Sequence, residues 1–174
     1  NKARYVWLKY QPTLKGRILD VGADECYLKE YLPAGVEYWG IGLGGNPDQQ
    51  VNLETEKVPF PDNSFDCALC LDVLEHIENI HEIFDELCRV SRHYVIVSLP
   101  NPWASFYTMI LSKNYSREIA LKYYGLPLER PLDRHKWFFS GDEAENFIRY
   151  RANKNGMQVL QLDNEPFQGK PWRG

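Results

Sequence analysis

Asp20-Val21-Gly22 ends the short apolar run that begins at Arg17, so a carboxylate and a glycine stand where a strand gives way to a loop. Glycine permits unusual φ and close backbone approach. Free backbone N–H groups at the helix start that follows would welcome an anionic group. Asp24 is placed to cap that helix, which carries Leu28, Tyr31 and Leu32 on one face and stops at Pro33. Two histidines add proton chemistry. His76 follows Glu75 just beyond a second apolar run, Phe65–Leu71, and His135 lies between Arg134 and Lys136. Histidine titrates near neutral pH and so suits general acid–base work. Cys67 and Cys70 have the spacing of a metal or redox pair. They fall within a strand, however, where residues three apart point to opposite faces. They are read as reduced core thiols of a cytoplasmic protein, and no metal is expected.

The elements that must hold these residues alternate. A helix over 3–10 ends before Pro12. Strands are predicted at 17–21, 36–41, 51–53, 65–71, 94–99 and 157–162. The Gly42–Pro47 turn leaves little room for a helix after the second strand. A helix runs from Asn79 to Ser91, with Ile80, Ile83, Phe84 and Leu87 at helical spacing and Asn79 with Glu82 in a capping-box pattern. Ser140 with Glu143 opens a later helix that stops at Gly156. Nearly apolar strands alternating with helices imply an α/β, doubly wound, mostly parallel sheet. Residues 1–174 read as one domain. Its irregular, aromatic-rich segment at about 101–139 contains Trp103, Phe106, Tyr107, Tyr115, Tyr123, Tyr124, Trp137, Phe138 and Phe139, and reads as an insertion capping the site. Ligands of such a sheet bind beyond the carboxyl ends of its strands. The formal charge of -4 argues against a phosphate-backbone partner, so no nucleic acid is expected. No apolar run is long enough to span a membrane, and no signal peptide is visible.

Several stretches, in order, resemble one family. They are Ile18–Gly22; Leu53-Glu54 with Val58–Asp66; Leu71-Asp72-Val73-Leu74-Glu75-His76-Ile77; Glu86–Ser91; and Val97-Ser98-Leu99-Pro100-Asn101. Together they are similar to the class I S-adenosylmethionine-dependent methyltransferases, in the small-molecule, type 11-like branch. The resemblance covers roughly 16–101. His135–Ser140 also looks like the segment before that group's late helix.

The resemblance implies a Rossmann-like methyltransferase fold, although the tail offers no counterpart of the family's last strand. It implies S-adenosylmethionine as cofactor and a small-molecule methyl acceptor, with the methyl transferred in line. Asp20, Gly22, Ala23 and Asp24 would surround the cofactor's methionine end. Gly42 and Leu43 would lie by the ribose and adenine, and Asn52 and Leu53 at the adenine edge. Leu71 and Asp72 would stand by the methionine amino group. His76 and His135 would face the substrate and are the candidate catalytic groups. Glu75 reads as structural. Where the family usually has further glycines, this chain has Asp24 and Cys26, and Gly42 stands where an acidic residue usually holds the ribose. Those departures motivate a rival, non-catalytic module that keeps the fold. A Rossmann dehydrogenase is disfavoured, because the first loop lacks a full Gly-x-Gly-x-x-Gly.

Overall fold

A computed structural model describes residues 2–112, 128–129 and 133–163. Helix α1 spans Lys2–Tyr10. Five strands follow: β1 (Arg17–Val21), β2 (Glu37–Gly42), β3 (Gln49–Gln50), β4 (Phe65–Leu71) and β5 (Ser91–Ser98). Helix α2 (Ile80–Val90) leads directly into β5, and α3 (Pro102–Ser112) and α4 (Gly141–Lys154) come later. The sheet order is β3-β2-β1-β4-β5, and every pair is parallel. The chain therefore leaves the middle of the sheet in opposite directions from β1 and β4, which creates a switch point between them.

Period-two alternation divides the central strands between two cores. Leu19, Val21, Ala68 and Cys70 face α2, with Ile83, Phe84 and Leu87 packed over them. Ile18, Cys67 and Leu69 face α1, with Val6 and Leu14. Cys67 and Cys70 thus lie on opposite faces, and all four cysteines are buried and free. Burial pushes the Cys67 thiol up to about 12, which keeps it protonated. Arg89 locks the Pro59–Asn63 turn by donating to the Phe60 and Val58 carbonyls and to Asp62. Arg151 of α4 binds Asp85 of α2, and Asn155 donates to the same carboxylate at 2.7 Å.

Several expectations need correction. The helix after β1 is one short turn, Tyr27–Glu30. Its N-cap is Cys26 at φ 55, so Asp24 caps nothing. Asn79 precedes α2, but its side chain makes no cap; it donates to the Leu53 carbonyl at 2.9 Å instead. The capping box at Ser140 and Glu143 is formed. The third strand is Gln49–Gln50 rather than 51–53, because Val51 and Leu53 turn inward to the core. Residues 157–162 form no strand. They face β5 across a groove of about 610 Å³ without ladder bonds. The segment read as wholly irregular opens with α3. Tyr115, Tyr123, Tyr124 and the tail 165–174 lie outside the described residues. Among the described residues, no helix is long and apolar enough to cross a membrane.

Asp20 is buried in β1 and accepts a hydrogen bond from the Tyr38 hydroxyl at 2.8 Å. Desolvation raises its carboxyl from 3.8 to about 6, against the pull of the Tyr38 bond. Between these values the folded state holds a proton that the unfolded chain has released. This contribution to stability is complete below pH about 4 and is lost as pH rises through about 6, at a cost of about 3 kcal/mol. Asp20→Asn should therefore melt higher than the wild type at pH 8, with the gap closing at pH 4. Thermal denaturation across that range checks it.

Candidate functional site

A cavity of about 750 Å³ opens at the carboxyl ends of the strands, at the switch point. That size suits a small organic ligand or cofactor. Its wall draws on the loops after β1, β2, β3 and β4, and on the segment 133–136.

Two loops are sewn together to make the inner wall. The Ile41 carbonyl accepts from the Gly22 and Ala23 amides at 2.7 and 3.0 Å. Those two N–H groups are consequently spent inside the fold. The expectation of free amides there, and of a helix N-terminus behind them, is corrected. Gly22 sits at φ +79, and a Cβ on it would come within 2.2 Å of Val73. Asp24 adopts φ 48, and its carbonyl accepts from Asn46 at 2.9 Å. Gly45 packs so tightly on this backbone that its Cβ would lie 2.3 Å from the Asp24 carbonyl carbon.

Of the residues nominated from sequence, Gly22, Asp24, Gly42, Leu43, Asn52, Leu53, Asp72 and His76 line the cavity. Asp20, Ala23, Leu71 and His135 do not. Asp20 turns to Tyr38, and His135 is buried behind the wall with its ring 4.4 Å from that of His76. Leu43 presents an exposed apolar side chain, 62% accessible. Asp48, the first carboxylate after Gly42 in sequence, is engaged by the Gly40 amide at 2.8 Å and by Lys29. Asp72, at φ 55, binds Ser98 Oγ at 2.8 Å and pairs with Lys2 of α1.

Val73, Glu54, Glu78, Asp133, Arg134 and Lys136 also line the cavity and were missed from sequence. The last three arrive because 133–137 docks on the loop after β4. Lys136 N donates to the Glu75 carbonyl at 2.8 Å, Trp137 Nε1 to the Ile77 carbonyl at 2.8 Å, and Lys136 Nζ pairs with Glu54. His76 Nδ1 lies 2.6 Å from Asp133 Oδ1. Beside them, Trp103, Phe106 and Phe138 form an edge-to-face cluster.

A parallel sheet in this order, with its cavity at the switch point, defines a Rossmann-like methyltransferase fold. Residues 21–97 match a family model described as a methyltransferase domain. The segment that builds most of the sheet and of the cavity is thus similar to a methyltransferase domain. Similar solved structures agree on the fold. A SAM-dependent methyltransferase from Archaeoglobus fulgidus has a TM-score of 0.57 at 16% identity, covering 86% of this chain and 67% of the other. A small RNA methyltransferase reaches 0.61 at 16% identity over 88% of this chain, but only 21% of its own length. A chain of the complex between the Haloferax volcanii Trm112 methyltransferase activator and a methyltransferase reaches 0.55 at 12% identity, covering 87% and 72%. No curated protein sequence matches the chain.

The seam between the first two loops is open to test. Gly45→Ala forces a Cβ into the Asp24 backbone at φ +67, whereas a Cβ on Gly44 meets nothing nearer than 3.7 Å. Gly45→Ala should cost about 1–3 kcal/mol and lower Tm by several degrees, and Gly44→Ala should be nearly neutral. Differential scanning calorimetry of both variants decides it.

Proposed function

We propose that this chain binds S-adenosylmethionine in the 750 Å³ cavity and transfers its methyl group in line to a small-molecule acceptor. The observation that carries the reading is the coincidence of the cavity wall with the motif loops: eight of the nominated residues meet there. The residues present fit the cofactor. Leu43 offers an apolar surface for a base, Asp72 a carboxylate for an ammonium, and Asp24 a second carboxylate beside Gly44 where the carboxyl end of β2 supplies none.

When bound, the cofactor supplies a methyl group activated on a sulfonium. The chain's own part is to orient, to exclude water and to handle a proton. Proximity and alignment provide most of the acceleration. His76, held through Nδ1 by Asp133, stands at the cavity wall where an acceptor would be oriented. The 133–136 segment covers the cavity, and we read the chain as a single domain in which this segment belongs to a cap. Acidic groups at the wall (Asp24, Glu54, Asp72, Glu78 and Asp133) outnumber Arg134 and Lys136. A phosphate backbone would be repelled there, which supports a small acceptor over a nucleic acid. The buried free thiols suit a cytoplasmic setting.

Calorimetric titration with S-adenosylhomocysteine tests this reading. The wild-type protein should bind it, and Asp72→Asn should weaken binding at least about tenfold by removing a charged acceptor. Absence of heat at millimolar ligand, with the protein folded, would instead identify a non-catalytic module that keeps the fold.

A further inference from the structure

The docking of 133–137 on the loop after β4 assembles a group that neither segment holds alone. Glu75, His76 and His135 each offer one donor atom, and these atoms all lie within 4.8 Å of one another. Glu75 and His135 are buried, while His76 reaches the cavity. The Lys136 and Trp137 hydrogen bonds hold the two segments in register on either side of the three donors.

The hydrogen bonding of His76 suggests what belongs between them. Its Nδ1 is 2.6 Å from the Asp133 carboxylate, a contact that needs the proton on Nδ1. In the neutral ring, Nε2 then directs a lone pair to the side of Glu75, whose Oε1 is 3.6 Å away. A cation between that nitrogen and the carboxylate would be ligated by both. Two ligands at about 2.1 Å from a tetrahedral ion stand about 3.4 Å apart. The His76–Glu75 separation is close to that, and side-chain rotation can draw the third donor in. A carboxylate on the far nitrogen of a ligating imidazole is also the usual support for such a ligand, since it fixes tautomer and ring orientation.

We propose that Glu75, His76 and His135 bind a first-row divalent transition cation, with open coordination positions on the cavity side of His76. Two imidazoles and one carboxylate favour manganese, iron, cobalt or zinc over magnesium or calcium. Its place at the cavity wall, taken with the methyltransferase reading on which this part rests, assigns an oxygen-bearing acceptor. A hydroxyl bound to the ion gives up its proton to solvent more readily. Its oxygen then takes the methyl as the carbon–sulfur bond breaks, and the bonding pair stays on sulfur to leave a neutral thioether.

The test is titration of the EDTA-treated full chain with Co²⁺, followed by visible absorption and calorimetry without cofactor. The wild-type protein should take up about one equivalent. Glu75→Gln and His135→Gln should weaken binding at least about tenfold, and His93→Gln, on the exposed face, should bind as the wild type does. Circular dichroism monitors folding. If a variant at a buried position does not fold, His76→Gln, at the cavity wall, carries the comparison. Failure of the wild type to saturate at millimolar Co²⁺, or equal binding by wild type and variants, overturns the site. S-adenosylhomocysteine titrated in EDTA reads the cofactor pocket separately. Heat there without cobalt binding removes the ion and leaves the methyltransferase reading standing.

Discussion

The Ile41 carbonyl accepts two amides, Gly22 and Ala23, and the geometry of the cavity depends on that double contact. It draws the loop after β1 over the end of β2 and uses two N–H groups that a ligand would otherwise meet. Asn46 and Gly45 then close on Asp24 from the other side. The wall is built from backbone, with side chains reaching in from its edges. Its rigidity comes from bonds a buried loop must make in any case, since unpaired buried amides are costly.

Polar chemistry gathers on the opposite wall. There the loop after β4 carries Asp72 and His76, and a segment some sixty residues later covers it through Lys136 and Trp137. The two walls differ in kind. One is set by neighbouring parallel strands and is local to the sheet. The other depends on a long-range docking event, so changes in that segment can alter one wall while the other is retained.

Much of the fold was legible in sequence. Parallel strands buried on both faces read as continuous apolar runs, which is why β1, β2, β4 and β5 stand within a few residues of expectation. Helix α2 announced itself by Ile80, Ile83, Phe84 and Leu87, and α4 by its Ser140 box. Failures came where a distant partner decided the matter. Leu28, Tyr31 and Leu32 mimic a helical face, yet Cys26 takes a left-handed turn against Gly40 and the chain has only one turn to spend. Asn79 looked like a cap and became a tie to Leu53. Met157–Leu162 reads as a strand, but a groove separates it from β5 and no ladder forms. The nearness of Glu75 to His135 is invisible in sequence because it arises only when 133–137 docks.

Asp72 has one further consequence. Its carboxylate is already held by Lys2 and Ser98 in the protein alone. A ligand ammonium arriving at Asp72 therefore enters an occupied coordination shell, and whatever it gains is set against the Lys2 contact. Binding at the cavity and docking of α1 on the sheet are then two ends of one equilibrium. Each must shift the other by the same free energy. The amides of α1, remote from the cavity, become a reporter of occupancy: their exchange with solvent records how far the site and the first helix compete.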